Sequence, residues 1–240
     1  FTHVILDCFT VYGTQVFAPF SDYRVSWGTI AVVDPLYTIP LLLSLTITAF
    51  LIRTKRTRRV VNYLGLALST SYLLFTVYNK SRVQTVFENE LKAQNIEVTR
   101  TITSPTIFNN VLWSCTAETN DAYYVGLYSF YDTVPVKFSR IEKQHTLLKN
   151  IDTDYTITKL RWFSDNFFTI NNVDGKLLFN DLRFGAYFDK EGNKTDYIFS
   201  FHLEEEDGAY EMIETIIGPP KGQEKEYIDT FFARIWGVSS

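Results

Sequence analysis

The chain has 240 residues, of which 46% are hydrophobic and 16% aromatic, and its formal net charge is −4. This length is enough for one large domain or two small ones with a proper core. The two cysteines, Cys8 and Cys115, show no redox or metal-ligand spacing, so we predict that both pack as small hydrophobic side chains. A disulfide scaffold is not expected in a chain of this length.

Charge is distributed unevenly along the chain. Residues 1–79 carry six Lys or Arg against three acids, whereas the remainder carries 17 against 24. A basic, apolar front and an acidic, aromatic back indicate a membrane part joined to a water-soluble part. The acidic back also disfavours nucleic acid as a partner, since a phosphate backbone requires a basic face.

The first fourteen residues, FTHVILDCFTVYGT, predict a helix that ends at Gly13. In a helix His3 and Asp7 stand one turn apart on one face, with Thr10 on the same stripe. Both side chains can then reach one divalent cation at about 2.0 to 2.2 Å, so we predict that they are metal ligands. The alternative is a hydrogen-bonded polar pair at the membrane edge.

Residues 15–35 are broken into turns and short extended pieces by prolines and glycines. Two candidate catalytic residues lie here. Arg24 suits an anion contact, with a salt bridge to Asp22 or Asp34, or a lipid headgroup contact, as the alternative. Asp34 suits a site carboxylate, with capping of the following helix as its structural alternative.

Two uncharged runs follow, over residues 36–52 and 60–78. At about 1.5 Å per residue they reach roughly 25 and 28 Å, close to the thickness of the hydrocarbon core, so we predict two transmembrane helices. The alternative is a pair of buried core helices. The connecting segment RTKRTRR predicts a cytoplasmic loop, which would put residues 1–35 and 80–240 on the opposite side.

Past Asn95 the pattern alternates, and Asp174-Gly175 and Asp207-Gly208 predict two tight hairpins. Three further predictions concern single sites in this part. Asp181 and Arg183 face the same way on a strand and suit a cross-strand ion pair, His145 is expected at the surface without a partner, and His202 is expected on a solvent face. The predicted fold is α+β, with membrane helices followed by a mainly antiparallel sheet domain and a few helices.

The residues from Thr2 to Pro40, with the segment THVILDCFTVYGTQVFAPFSDYR followed by DPLYTIPLL, resemble the bacterial inner-membrane metal-dependent hydrolases of the YdjM/YbcI type. PTIFNNVLW and DLRFG resemble features of the longer members more loosely. The resemblance implies a hydrolase whose further His and Asp ligands lie before Phe1. It thus favours reading this chain as a C-terminal fragment.

Together these patterns predict a multi-pass protein of the bacterial inner membrane with an extracytoplasmic C-terminal domain. Residues 1–35 are the end of a metal-site region, 36–79 a transmembrane hairpin, and 80–240 a soluble α+β domain. The expected function is hydrolysis of a phosphoester or another membrane-adjacent small-molecule or lipid-like substrate by metal-activated water. Zinc is the expected metal, with manganese or iron as alternatives. The other reading is a non-catalytic, membrane-anchored binding module.

Overall fold

The computed structural model describes residues 2–50, 56–173, 175–189, 193–206, 208–219 and 222–237. Over these ranges the fold is α+β, as predicted, with two four-stranded antiparallel sheets in the orders β1-β2-β3-β4 and β5-β6-β7-β8. The α-helices are α1 (Thr2–Cys8), α2 (Pro35–Phe50), α3 (Arg56–Ala93), α4 (Tyr155–Phe163) and α5 (Glu224–Ile235), with a 3₁₀ helix at His145–Leu148. The strands are β1 (Arg100–Pro105), β2 (Leu112–Glu118), β3 (Ala122–Ser129), β4 (Phe138–Glu142), β5 (Phe168–Val173), β6 (Lys176–Phe188), β7 (Lys194–Glu206) and β8 (Ala209–Ile217).

The chain divides into two compact units. Unit 1 comprises Phe1–Val86 and Ser104–Trp113, and contains α1, α2 and most of α3. Unit 2 comprises Phe87–Thr103 and Ser114–Ser240, and contains α4, α5 and the second sheet.

Helices α2 and α3 of unit 1 form an antiparallel hairpin. The Ser69 hydroxyl donates to the Tyr37 carbonyl at 3.0 Å, and further along α2 the Thr48 hydroxyl donates to Asn62 Oδ1 at 3.4 Å. A Cβ added to Gly65 would overlap the Ser44 side chain, so the two backbones approach closely at that point. Small and polar residues therefore line the contact between the helices, as in helix pairs that associate inside a membrane.

The outward faces of the same two helices are apolar. Ser44, Thr48, Ser69 and Thr76 are buried, whereas large apolar side chains are exposed. A water-soluble helix pair would show the reverse, so this distribution fits a lipid environment. The exposed apolar residues of the hairpin include Leu36, Leu42, Leu45, Phe50, Tyr63, Leu66, Leu74, Phe75 and Tyr78.

The predicted pair of spans is supported in part. In the part of the chain that the structure describes, α3 is the one helix long and apolar enough to cross a membrane, and α2 is a shorter apolar helix of 16 residues. Residues 51 and 52 of the first predicted span, and residues 53 to 55 of the basic loop, lie outside the described residues.

The sheet β5-β6-β7-β8, which lies in unit 2, is an antiparallel meander, as the sequence predicts. Val173 pairs with Lys176 and Glu206 with Ala209, so both predicted hairpins form, although Asp174 and Asp207 themselves lie outside the described residues. Gly175 has a φ of +83°, a conformation that favours glycine. One face of the sheet packs against α4 and the 3₁₀ helix through Leu148, Ile157, Leu160, Phe168, Ile170, Phe179, Phe201 and Leu203.

The opposite face of this sheet is partly enclosed. Phe201 and Leu203 are buried as the alternation predicts, but His202 is only half-buried and its Nε2 is enclosed with no hydrogen-bond partner. On the same face, Ser200 is buried and donates to Asn180 Oδ1 at 2.7 Å. The prediction that His202 lies on a solvent face was therefore wrong, because the side of the strand that carries His202 is partly enclosed.

Asp181 and Arg183 form an ion pair, as predicted, although within one strand and not across two. Arg183 Nη2 lies 2.6 Å from Asp181 Oδ2, and the two side chains are 2% and 0% exposed. The predicted packing of the cysteines is also confirmed, since Cys8 and Cys115 are both free and buried.

His145 is another correction to the expectations from the sequence. Its ring stacks on Phe168 with centroids 4.1 Å apart, and its Nε2 lies 2.9 Å from the Phe168 carbonyl oxygen. Burial lowers the pKa of His145 below its usual value of 6.5, although the hydrogen bond to the Phe168 carbonyl opposes this. His145 is thus half-buried and packed against Phe168, and it is not a surface residue without a partner.

This lowered pKa predicts a loss of stability in mild acid. Because the unfolded chain binds the His145 proton more readily, the stabilisation is complete above pH 6.5 and is lost as the pH falls through the folded-state pKa. Urea unfolding of unit 2 in detergent, from about pH 8 to about pH 5, is expected to show a smaller loss in His145→Gln than in the parent chain. Equal losses in the two proteins would contradict the assignment to His145.

Candidate functional site

Helix α1 carries the predicted metal ligands, and it is shorter than predicted. It ends at Cys8 and not near Gly13. The carbonyls of Cys8 and Phe9 accept hydrogen bonds from the backbone N–H groups of Trp27 and Thr29, both at 2.7 Å. The helix ends here because these two carbonyls bond to the segment 27–30 and not to N–H groups one turn further along α1.

His3 and Asp7 meet as predicted. His3 Nε2 lies 3.2 Å from Asp7 Oδ2 across one helical turn, and the side chains are 86% and 42% exposed. The Thr10 hydroxyl donates to the Asp7 backbone carbonyl at 2.8 Å and leaves the carboxylate accessible. An imidazole nitrogen and a carboxylate oxygen are thus held together in an open position.

The segment that holds α1 is fixed to one end of the helix hairpin. Lys80 Nζ donates to the Trp27 carbonyl at 2.6 Å, and the hydroxyls of Thr76 and Thr29 lie 3.4 Å apart. Thr76 and Lys80 flank Tyr78, where the uncharged run of α3 ends. Helix α1 is therefore attached at the hairpin end opposite the connection between α2 and α3.

Buried amides complete this attachment, and sequence reasoning missed them. Asn110 Nδ2 donates to the Thr29 carbonyl at 2.9 Å, and Asn79 Nδ2 donates to Asn110 Oδ1 at 2.8 Å. Asn79 Oδ1 is buried with no partner. The sequence signal for Asn79 was its place directly after the apolar run 60–78. That place does not by itself distinguish a buried amide from a solvated one.

Arg24 lies at the base of the loop between Thr14 and Val25. Its Nη1 donates to the Tyr12 carbonyl at 3.3 Å, and a Cβ added to Gly13 would lie 3.0 Å from Arg24 Cβ. The loop thus holds the stem of the arginine close to the end of α1.

Asp34 caps α2, the structural alternative that the sequence left open. Its Oδ1 accepts from the backbone N–H of Leu36 at 2.9 Å and of Tyr37 at 3.4 Å, and its Oδ2 accepts from the Tyr72 hydroxyl at 2.8 Å. The residue is 2% exposed. These bonds fix the start of α2 against α3, which is a positioning role.

The donor set of His3 and Asp7 fits part of a metal site. Two donors about 2.1 Å from one cation stand about 3.0 to 3.4 Å apart, so the observed 3.2 Å needs little rearrangement. Among the described residues, no group of three or more His, Cys, Asp or Glu side chains is arranged to hold a metal, so neither Asp34 nor another such side chain joins the pair.

Comparison with known proteins identifies a family match for the front of the chain. Residues 1–83 match the family model described as YdjM inner membrane protein, which supports the family for this part of the chain and a location in the inner membrane. Neither the curated proteins nor the solved structures gave a significant match.

Proposed function

We propose, from the match of residues 1–83 to an inner-membrane family, that this chain is part of a membrane-bound metal-dependent hydrolase. The observation that carries the proposal is the open imidazole and carboxylate pair, 3.2 Å apart, on a helix attached to the end of the apolar hairpin. An imidazole nitrogen and a carboxylate oxygen held one helical turn apart in an accessible position can both bind one cation. His3 and Asp7 are then two of the metal ligands.

A divalent metal bound here supplies Lewis acidity and lowers the pKa of water toward neutrality. Zinc suits a mixed imidazole and carboxylate set, and manganese or iron are alternatives. His3 offers Nε2 and Asp7 offers Oδ2 as donors, and the helical turn between them fixes their separation. A catalytic zinc needs about three protein ligands, so the remaining ligand comes from outside the described residues.

The substrate is proposed to be a phosphoester or another small-molecule or lipid-like compound at the membrane surface. The pair lies on the segment fixed to the hairpin end by Lys80, so the site opens close to headgroup level. Arg24, at the base of the neighbouring loop, is the proposed contact for an anionic group. Asp34 contributes by fixing α2 and not by contact with the substrate.

Metal content tests this function directly. Purified wild-type protein, expressed with its full native chain, is expected to contain bound zinc, manganese or iron, and His3→Ala is expected to lose most of it because one donor is removed. Metal per chain is measured by mass spectrometry after dialysis. The matched control is Asp22→Ala, an exposed carboxylate of the same unit that accepts from Gln15. Stoichiometric metal in His3→Ala would overturn the proposal.

The second candidate function is a membrane-anchored binding module. It is favoured by β8, an edge strand of unit 2 that pairs only with β7 among the described strands and exposes Met212, Ile213, Ile216 and Ile217. Exposed apolar edge strands are sites where another chain adds a strand. This function expects no metal in the wild-type protein, so the same measurement separates the two.

Orientation is tested separately by protease accessibility. Positively charged loops stay in the cytoplasm, so we expect Arg56 and Arg59 to be protected from trypsin in intact spheroplasts. Lys149 of unit 2 is exposed and is expected to be cleaved from outside. Cleavage at Lys149 only after lysis would reverse the proposed orientation.

A further inference from the structure

Residues 15–24 of unit 1 form an aromatic loop whose tip is open. The loop is closed by two backbone hydrogen bonds between Thr14 and Val25, at 3.0 and 2.9 Å. The Phe20 N–H donates to the Phe17 carbonyl at 2.9 Å, so the tip is a defined turn. Phe17, Phe20 and Tyr23 are nevertheless 54%, 95% and 66% exposed.

Charge and apolar surface are separated within this loop. The tip, residues 16–20, reads VFAPF and carries no charge, whereas Asp22 and Arg24 lie near the base. A phenylalanine that is 95% exposed makes almost no packing contact within the unit. Contiguous exposed apolar surface of this kind marks contact with a membrane or another protein.

The base of the loop lies at the end of the apolar hairpin. Trp27, two residues after the closing Val25, accepts through its carbonyl from Lys80 Nζ, and Lys80 lies two positions after Tyr78, the end of the predicted span 60–78. Phe20 lies five positions before Val25 in the sequence, so the tip lies at most about 18 Å from the loop base. The exposed apolar surface of α3 reaches this level too, since Tyr78 is 60% exposed.

We propose that the aromatic loop inserts Phe17 and Phe20 into the bilayer at this end of the hairpin, in the leaflet opposite the basic loop. We commit to lipid as the occupant because the loop starts from the hairpin end at which α2 and α3 expose Leu36 and Tyr78, and its tip is uncharged and exposed like them. Aromatic side chains are enriched at the boundary between headgroups and hydrocarbon. The insertion fixes the height of α1 relative to the lipid surface, and it does not depend on bound metal.

Spin labels test the insertion in the full chain, reconstituted into vesicles of phosphatidylethanolamine and phosphatidylglycerol. Labels are placed at Phe17→Cys and, separately, Phe20→Cys; the native Cys8 and Cys115 are buried, and the unsubstituted chain gives the labelling background. Leu43→Cys, on the exposed face of α2, is the lipid reference, and Lys149→Cys, exposed in unit 2, is the water reference. Accessibility to oxygen, which partitions into lipid, is compared with accessibility to a water-soluble nickel chelate.

At positions 17 and 20 we expect high accessibility to oxygen and low accessibility to nickel, with a ratio several-fold above that at Lys149 and approaching that at Leu43. Nickel accessibility equal to that at Lys149 would overturn the proposal, because the loop would then lie in water. Low accessibility to both reagents would overturn it as well, in favour of a protein contact over the tip. Two labelled positions ensure that one poorly folded variant does not decide the result.

Discussion

Replacing Arg183 with methionine is expected to destabilise unit 2 by about 3 to 5 kcal/mol, because the buried Asp181 carboxylate would lose the guanidinium charge that lies against it. Arg183 Nε lies 3.1 Å from both carboxylate oxygens and its guanidinium lies 4.5 Å from the centre of the Phe163 ring, so the substitution removes the partner charge and a cation–π contact. The measurement is chemical denaturation of the full chain in detergent, followed by hydrogen exchange in peptides of β5 to β7.

The matched control is Arg140→Met. Arg140 Nη2 lies 2.7 Å from Asp121 Oδ2, a similar geometry, but its side chain and that of Asp121 are 42% and 71% exposed. Solvent screens such a pair, so its loss is expected to cost much less stability than the loss of the buried pair. The double variant Asp181→Leu with Arg183→Met is expected to recover much of the lost stability, because no buried charge remains. Equal losses for Arg183→Met and Arg140→Met would refute the role of burial.

Replacing Gly65 with alanine is expected to separate α2 from α3, because the added Cβ has no room beside Ser44. Overpacking of a tight contact typically costs about 1 to 3 kcal/mol. The compensating variant Ser44→Gly removes the side chain that the new methyl group meets, so the double variant is expected to regain most of the stability. Thermal unfolding in detergent, followed by far-UV circular dichroism, measures the difference.

Leu66→Ala is the control for this pair. Leu66 neighbours Gly65 in sequence but lies on the exposed face of α3, 55% exposed, so its truncation is expected to change stability little in detergent. If Gly65→Ala unfolds no earlier than Leu66→Ala, the close approach at Ser44 does not stabilise the hairpin. If Ser44→Gly worsens Gly65→Ala, the clash is not between these two side chains.

Local patterns predicted the parts of the fold that depend on neighbouring residues. Asp34 before Pro35 indicated a helix cap as the alternative to a site carboxylate, and its carboxylate accepts from the backbone of α2. Gly175 and Gly208 predicted tight turns, and strands pair across both. The spacing of His3 and Asp7 predicted one shared helical face, which the contact between them confirms. Such features depend on turn geometry and helical period, which the sequence carries locally.

Prediction from local sequence patterns failed where burial or contacts with other segments decide the structure. The apolar filling up to Gly13 predicted a helix of fourteen residues, but hydrogen bonds from segment 27–30 end α1 at Cys8. Alternation placed His202 on the correct side of its strand, yet it did not reveal that this side is partly buried. The end of α1 is decided by a segment further along the chain, and the local pattern of residues 1–14 does not record it.

The sequence by itself determined the α+β class, the apolar helices with the basic residues between them, the tight turns and the shared face of His3 and Asp7, because each follows from composition or from the period of one element. The tertiary structure alone decided that Gly65 meets Ser44, that Asp34 bonds to Tyr72, that Asp181 and Arg183 pair inside the core, and that α1 is attached to the end of the hairpin through Lys80. Those contacts join residues that are distant along the chain or depend on burial, and many competing pairings are sterically possible until packing selects one.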